Sequence, residues 1–337
     1  DDLLRLAAAA GVEVDVVPDA VAVRGDWSTA PVVVIGHDVA GDMPLRTLPR
    51  RNGVYLVGGE LDDASIWRRA VDVGAESVVF FPDDEPWLAD RLADAAEGDR
   101  DRAVVIGTVG GRGGAGASVL ATTLALAASG RDLAVTLVDL DPLGGGLDMI
   151  LGAELSAGLR WPDLATAQGR LSARTLRAEL PGWRDLAVLS WDRGDLLDVP
   201  AAAVSTVLAA ARRSSDLVVI DLPRHLDTAA EEAVAACGVL VVVVPTEVRA
   251  VASASRVAAR FAPLAHDVVV ATRDTGTAGL TLREVSSALG LPALVHIGAD
   301  DRLAARLDRG EPPAVDHRSP LGVACAEILE TVGPAEV

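Results

Sequence analysis

The residues best suited to chemistry are a glycine-rich turn near residue 113 and the aspartates that follow it. Five glycines occur in the seven residues from Gly110 to Gly116, between the apolar run AVVIG and the helical pattern VLATTLALAAS. Glycines let successive backbone N–H groups turn inward, and a helix start adds the positive end of its dipole. This turn therefore predicts a cradle for a polyphosphate.

One residue type that such a turn normally contains is missing. Residues 111–118 fit G-x-x-x-x-G-K-[ST] at every fixed position except the lysine, which is Ala117. Ser118 keeps the hydroxyl that binds Mg²⁺. The chain contains no lysine, so all 30 of its basic residues are arginines. Schiff-base catalysis and the usual phosphate-binding lysine are therefore excluded.

Two acidic segments follow apolar runs and could hold a cation. Asp139 and Asp141 lie in the segment VDLD, and Asp221 follows the run LVVI. Taken singly, each has an ordinary structural explanation, since a D-x-D pair is often a solvated strand end and Asp221 can cap the turn before Pro223. Our hypothesis places the glycine turn and the carboxylates at 141 and 221 around one cavity.

Together these segments resemble the deviant phosphate loop of the MinD/ParA class, K-G-G-x-G-K-[ST]. Arg112 takes the place of the first lysine, which in that class reaches the partner's nucleotide across a dimer. The segment from Asp139 to Asp148 resembles switch I, with Gly146 where an asparagine is usual. Asp221 lies in a Walker B and switch II pattern, and residues 241–256 resemble the strand and helix that follow.

The resemblance implies a set of site residues with ATP and Mg²⁺ as ligands. Asp141, at the water-orienting position, and Arg112 are the predicted catalytic residues. The predicted metal-binding residues are Ser118, Asp139 and Asp221. The predicted nucleotide-binding residues are Gly111, Gly113, Gly114, Ala115, Gly116, Ala117, Ser118, Val119 and Arg273. MinD-like proteins often contact adenine with an asparagine after the sixth strand, where this chain offers Thr272, followed by Arg273.

The pattern of apolar runs predicts two α/β domains, 1–97 and 103–337, joined by the charged segment EGDRDR. In the second domain, almost uninterrupted Val, Ile and Leu strands favour a mostly parallel sheet with helices on both faces. The predicted strands are 103–108, 135–139, 186–190, 217–220, 239–244, 268–271 and 294–297, and the last predicted helix is 321–332.

The first domain resembles a receiver, with a flavodoxin-like fold, that has lost its first strand. Its predicted strands are 12–17, 32–35, 54–57 and 77–81, and its predicted helices are 64–73 and 85–96. The residues of receiver chemistry are missing. Asp38 is the nearest substitute for the phospho-accepting aspartate, Gly58 stands where Ser or Thr is expected, and Phe81-Pro82 stands where Lys is expected. We predict a pseudo-receiver for protein contacts rather than a phosphorylated switch.

A pseudo-receiver before a MinD-like domain is similar to the arrangement of the CpaE/TadZ family, and in particular to the actinobacterial CpaE-like septum-site-determining proteins. The resemblance implies a homodimeric spatial regulator for Tad-type pilus assembly or cell division, which contacts its partners through the N-terminal domain. The missing lysine predicts weak or absent ATP hydrolysis. Two alternatives stay open, a nucleotide-independent scaffold and an active ParA/MinD-type ATPase.

Composition limits the partners and the compartment. A net charge of −19 disfavours nucleic-acid binding. The two cysteines exclude a disulfide scaffold and a four-cysteine zinc site. No long apolar run or secretory signal begins the chain, which favours the cytoplasm, although a first residue other than Met leaves room for an upstream segment. The last helix has no basic residue after Arg318, so we expect no direct membrane anchor.

Overall fold

In the computed structural model the chain divides into two compact units, Asp1–Asp99 and Arg100–Val337. The structure describes residues 2–9, 12–17, 22–41, 48–58, 65–97, 103–167, 171–194, 198–276 and 279–334. Residues 98–102, which form most of the predicted hinge, lie outside this described part.

The first unit is a small parallel sheet between helices. Its elements are α1 (Asp2–Ala9), a short 3₁₀ helix (Ala22–Arg24), β1 (Val33–Gly36), β2 (Val54–Gly58), α2 (Ser65–Val73), β3 (Ser77–Phe80) and α3 (Glu85–Glu97). The strands lie in the order β1-β2-β3, and all pairs are parallel. Ile66 and Ala70 of α2 pack on one face of the sheet, and Leu6 of α1 and Leu88 of α3 pack on the other.

One predicted strand of this unit is wrong. Residues 12–17 form neither helix nor strand, and 13–17 are exposed. Charged residues at Glu13 and Asp15 alternate with the valines, so this segment can bury only one face, whereas a strand of a parallel sheet needs both faces covered. The Val12 N–H instead donates to the Ala7 carbonyl and ends α1.

The second unit contains a larger sheet and ten helices within the described residues. Its elements are β4 (Val104–Gly110), α4 (Ala117–Ser129), β5 (Val135–Asp139), α5 (Leu147–Leu151), α6 (Trp161–Leu164), α7 (Ala173–Glu179), β6 (Gly182–Trp183), β7 (Leu186–Leu189), α8 (Ala201–Arg213), β8 (Leu217–Leu222), α9 (Thr228–Ala236), β9 (Val239–Pro245), α10 (Val248–Phe261), β10 (Asp267–Arg273), α11 (Leu282–Leu289), β11 (Ala293–Ile297), α12 (Leu303–Leu307) and α13 (Pro320–Val332).

The order of the eight strands places β4 at the point where the winding of the sheet reverses. The order is β11-β10-β9-β4-β8-β5-β7-β6, and every pair is parallel except β6 with β7. The chain runs from β4 to β5 on one side of the sheet, and later reaches β9 on the other side. Ligands of such sheets bind outside the carboxyl ends of the strands at this reversal. The glycine turn follows β4 directly and so lies at that point.

Alternate residues of the strands pack against helices on the two faces of the sheet. On one face the apolar side chains of α4 and α13 cover Ile106, Leu137 and Val219. On the other face α8, α9 and α10 cover Val105 and Ile220. The central strands are therefore buried on both faces, as their continuous Val and Ile runs predict.

Candidate functional site

The glycine turn forms a tight loop that leaves backbone donors unpaired. Gly114 and Gly116 have φ values of 69° and 98°, a region that side chains with a Cβ rarely adopt. The Gly111 N–H donates to the Val243 carbonyl at 2.8 Å, and a Cβ at Gly111 would lie 2.6 Å from the Ala254 Cβ. The loop therefore needs glycine both for its conformation and for its close approach to α10.

The free donors lie at the loop and at the start of α4. Gly116 is the N-cap of α4 and makes no side-chain cap, so the first N–H groups of the helix have no intrahelical partner. Within the described residues, no backbone acceptor pairs with the N–H groups of Gly113, Gly114 or Gly116. With those of Ala117, Ser118 and Val119, these groups form a set of donors that an anion can accept from.

A buried carboxylate lies beside the start of the helix. Asp221 is the second-last residue of β8, in register with Thr108 of β4, and only 3% of its surface is exposed. The Thr108 hydroxyl donates to Asp221 Oδ1 at 3.4 Å, and Ser118 lies close enough to this carboxylate to lower its pKa against the effect of burial. The strand register thus brings together two predicted metal-binding residues that are 103 positions apart in the chain.

The second predicted carboxylate holds the neighbouring loop. Asp139 ends β5 in register with Asp221 and is 1% exposed. Its Oδ2 accepts from the Leu147 N–H at 3.0 Å and from the Ser190 hydroxyl at 2.8 Å, while Oδ1 accepts from the Asp141 N–H at 3.2 Å. Both oxygens are therefore used inside the protein, which makes Asp139 a residue that orders the loop after β5.

The two buried carboxylates are held as weak acids. Burial raises the pKa of Asp139 to about 6, against the effect of its hydrogen bonds. Burial and then the charge of Asp139 raise the pKa of Asp221 to about 7. A cation bound between these groups and a phosphate would lower both pKa values, because it favours the charged form.

Within the described residues, no three His, Cys, Asp or Glu side chains converge so as to bind a metal ion. The predicted set is smaller, with two carboxylates and the Ser118 hydroxyl. That donor set fits Mg²⁺ in nucleotide sites, where one or two protein oxygens act with phosphate oxygens and water. The predicted metal residues therefore require a phosphate ligand to complete the coordination.

The predicted water-orienting residue lies in a turn at the edge of this site. Asp141 is partly exposed, its Oδ1 accepts from the Leu143 N–H at 3.0 Å, and its carbonyl accepts from the Gly144 N–H at 3.0 Å. The Trp161 indole N–H donates to the carbonyl of Asp139 two residues earlier, at 2.6 Å. Hydrogen bonds within the turn and to the last residue of β5 therefore hold the segment that carries Asp141.

A buried ion pair closes the same segment. Asp148 is 2% exposed, its Oδ1 accepts from Arg193 at 2.9 Å, and its Oδ2 lies 3.6 Å from Arg160. Gly146 has a φ of 89°, and a Cβ there would lie 2.5 Å from Asp148 Oδ1. The asparagine expected at position 146 would not fit this arrangement. Sequence patterns gave no reason to single out either arginine.

Two arginines bind the outside of the glycine turn. Arg112 donates to Glu247 Oε1 at 2.9 Å and to the Gly113 carbonyl at 3.3 Å. Arg273 donates from Nε to the Ala115 carbonyl at 2.7 Å and from Nη2 to the Gly114 carbonyl at 3.2 Å. Burial and then the charge of Arg112 lower the pKa of Arg273. Both guanidinium groups therefore lie at the loop, and both are already engaged with protein acceptors.

Two of the positions compared with receiver chemistry, Asp38 and Gly58, lie within the described part of the first unit. Asp38 is exposed in the turn after β1, and Arg69 donates to the His37 carbonyl beside it at 3.0 Å. A Cβ at Gly58 would lie 2.6 Å from Ile66 Cδ1 and 2.8 Å from Phe80 Cδ1. The apolar packing thus fills the place where a receiver has its Ser or Thr.

Comparison with known proteins assigns the chain to a family. Residues 1–103 match the family described as Rv3660c-like, CheY-like N-terminal domain. Over 314 residues the chain is 40% identical to the uncharacterized protein Rv3660c of Mycobacterium tuberculosis, and this match covers 92% of this chain and 88% of the relative. The chain belongs to the Rv3660c-like family. The receiver-like part of the predicted fold class is thereby confirmed.

The solved structures confirm the P-loop part of the fold of this Rv3660c-like protein. A ParA-family ATPase from Chlorobium tepidum is 21% identical with a TM-score of 0.61, and the match covers 68% of this chain and 98% of the other. The septum site-determining protein MinD of Pyrococcus horikoshii, solved with Mg-ADP, is 18% identical with a TM-score of 0.58, covering 70% and 100%. The second unit therefore has the MinD/ParA fold with a largely parallel sheet.

A MinC:MinD complex from Aquifex aeolicus contains a third such chain, 20% identical with a TM-score of 0.59, and the match covers 70% of this chain and 97% of the other.

In the part of the Rv3660c-like protein that the structure describes, every helix is too short or too polar to cross a bilayer.

Proposed function

We propose that the second unit binds MgATP in a degenerate phosphate loop and hydrolyses it slowly or not at all. One observation supports binding above all others, namely a loop at the start of α4 whose Gly113, Gly114 and Gly116 N–H groups have no backbone acceptor within the described residues, with the buried Asp221 on the neighbouring strand. The Pyrococcus horikoshii MinD was solved with Mg-ADP in the same fold. Backbone donors and Mg²⁺ hold most of a polyphosphate's charge, so binding does not depend on the lysine.

Slow hydrolysis follows from the missing cation. Ala117, the first residue of α4, is 9% exposed and packs into the core, where it contributes no charge. Phosphoryl transfer depends on groups that neutralise the developing charge. Loss of one such donor costs on the order of 3–4 kcal/mol of transition-state stabilisation, by analogy with oxyanion-hole deletions. Arg112, the predicted catalytic arginine, is bound to Glu247 and is not free to compensate in this conformation.

We infer a cellular role as a spatial regulator or scaffold of the CpaE/TadZ type, which marks a pole or septum for Tad-type pilus assembly or cell division. The support is the order of the units, a receiver-like domain followed by a MinD/ParA fold. The first unit, without a usable phosphorylation site, would contact the partner proteins, and a homodimer of the second unit would respond to nucleotide. In this proposal the protein acts in the cytoplasm and is recruited to its site by its partners.

A thermal-shift titration tests the binding proposal. With MgATP at about 100 times its dissociation constant, the wild type should gain about 5–10 °C in Tm. Ser118→Ala should remove the gain, whereas Ser205→Ala, an exposed position of α8, should keep it. A wild type that MgATP does not stabilise would support the nucleotide-independent scaffold instead.

A phosphate-release assay tests the catalytic half of the proposal. We expect turnover below about 1 per minute, at the slow end for enzymes. Faster turnover that is abolished by Asp141→Ala would instead support the active ParA/MinD-type ATPase. The cellular role has its own test, because a fluorescent fusion should form foci at poles or septa, and uniform fluorescence would contradict it.

A further inference from the structure

A third arginine lies at the phosphate loop, and no residue in the described part of the chain accepts a hydrogen bond from its side chain. Arg224 follows β8 by two residues and is exposed. Its Nη2 lies 3.6 Å, and its Cζ 3.9 Å, from the position that a Cβ on Gly113 would take. The guanidinium therefore faces the position of a side chain at Gly113, next to a backbone N–H that no described backbone acceptor pairs with.

The strand geometry fixes this position. β8 runs beside β4 in register, with Asp221 opposite Thr108 and Leu222 opposite Val109. Both strands therefore end together, one in the glycine loop and the other in the segment that carries Arg224. Pro223 is buried between Leu222 and the arginine, and its ring restricts the backbone at that point. The arginine is thus delivered to the loop by a rigid element rather than by a long flexible segment.

The other cations at the loop are committed to protein acceptors. Arg112 binds Glu247, and Arg273 binds the carbonyls of Gly114 and Ala115. Arg224, by contrast, makes no hydrogen bond or ion pair with any residue that the structure describes. It is therefore the one guanidinium of the three whose donors are all available to a ligand.

The neighbours of Arg224 indicate which part of the ligand it would contact. Asp221, the predicted metal-binding carboxylate opposite Thr108, lies near the end of β8 and three residues before Arg224. In P-loop sites Mg²⁺ bridges the β- and γ-phosphates. A cation immediately beyond the metal-binding residues lies at the terminal-phosphate end of the ligand, which is also where the usual lysine supplies its charge.

We propose that Arg224 binds the terminal phosphate of a nucleoside triphosphate and supplies, from switch II, the positive charge that Ala117 lacks. This inference rests on the proposed MgATP binding. It makes Arg224 the residue that distinguishes a triphosphate from a diphosphate. A guanidinium suits this role because its planar donors can bind two phosphate oxygens at once.

Calorimetric titration of the full chain with two probes tests the proposal, the Mg²⁺ complexes of a non-hydrolysable ATP analogue and of ADP. Arg224→Ala should weaken binding of the analogue about 10- to 100-fold, the range for one charged hydrogen-bonding group, and change binding of ADP less than about threefold. Arg224→Lys should recover part of the loss, since it keeps the charge but not the paired donors.

Arg260→Ala is the matched control, because it is exposed on the last turn of α10, at the far end of the sheet from the loop. It should bind both probes like the wild type. Unchanged binding of the analogue by Arg224→Ala, or equal losses for the analogue and ADP, would overturn the role of Arg224 alone. A wild type that binds neither probe would overturn the proposed function as well.

Discussion

At the scale of single residues, position 117 decides the chemistry that this fold can perform. An alanine there leaves the phosphate loop intact but removes a charge from the site. A lysine side chain at 117 would extend from the first residue of α4, where the usual phosphate-loop lysine stands. We therefore expect the alanine to impair hydrolysis more than nucleotide binding.

Restoring the lysine should restore catalysis. Ala117→Lys should raise the rate of ATP hydrolysis about 100-fold or more, because a cation would again stabilise the charge of the transition state. Ala117→Met is the matched control, with a similar chain length and no charge. Phosphate release measures the effect, and equal rates for the two variants would show that another feature limits hydrolysis.

The buried aspartates predict an unusual dependence of stability on pH. Their pKa values are raised from 3.8 to about 6 and about 7 in the folded protein. The folded state therefore keeps protons that the unfolded state releases, and the free energy of unfolding should fall as pH rises from about 4 to about 7. Without Mg²⁺, Asp221→Asn should raise Tm by about 3 °C or more at pH 8 and by much less at pH 4.

Thermal denaturation of the metal-free protein at the two pH values makes this measurement. Asp301→Asn, at an exposed turn, is the control, and its change in Tm relative to the wild type should be the same at both pH values. An Asp221→Asn variant that is destabilised equally at both pH values would contradict the assignment of Asp221 as a buried, weakly acidic carboxylate.

At the scale of elements, the individual strands were predictable from the sequence to different degrees. The central strands follow from continuous apolar runs such as LVVVVP, because only a strand covered on both faces tolerates them. The two-residue strand β6 was not predicted, since it is too short to show a period. Residues 12–17 were predicted wrongly because β-branched content outweighed their alternating charges.

Contacts between distant segments explain what the sequence could not show about the site. The motifs place Ser118 after β4 and Asp221 near the end of β8, and the parallel pairing of these two strands is what puts both residues at one edge of the sheet. The pairing of Arg112 with Glu247 and the approach of Arg224 to Gly113 depend on the packing of elements more than 100 residues apart. No local pattern carries that information.

The buried carboxylate of Asp148, which binds two arginines, should keep residues 141–152 ordered. Asp148→Ala leaves Arg160, whose side chain is 11% exposed, without its carboxylate. Breaking a buried pair in this way typically costs about 3–5 kcal/mol. We expect a loss of stability in that range in denaturant unfolding, and faster hydrogen exchange across residues 141–152.

The exposed position Asp301 again provides the control, since Asp301→Ala should change stability by less than about 0.5 kcal/mol. If Asp148→Ala has the same stability and the same hydrogen exchange as the wild type, the two arginines do not depend on this carboxylate for their order.

At the scale of the whole molecule, each unit keeps the architecture of a signalling or nucleotide-dependent protein and has lost a residue that such chemistry uses. The second unit lacks the lysine of its phosphate loop. In the first unit, the place of the receiver's hydroxyl is filled by the packing of Phe80 and Ile66 at Gly58. Both changes favour a protein that recognises ligands and partners over one that turns over substrate.

The first unit should therefore resist phosphorylation. After treatment with acetyl phosphate and Mg²⁺, intact-mass analysis should show no adduct of about 80 Da within residues 1–97, because the chain has no lysine and apolar packing fills the place of the receiver's hydroxyl at Gly58. A known active receiver treated in parallel is the control. A stable adduct on Asp38 would contradict the assignment as a pseudo-receiver.

We propose above that the glycine loop and the carboxylates around Ser118 form one MgATP site. Isothermal titration of the full chain with ATP, with and without Mg²⁺, is the measurement that tests this site. We predict saturable binding at one site per chain that requires Mg²⁺ and is lost in Ser118→Ala. The absence of binding by the wild type, or binding that neither Mg²⁺ nor Ser118 affects, would contradict it.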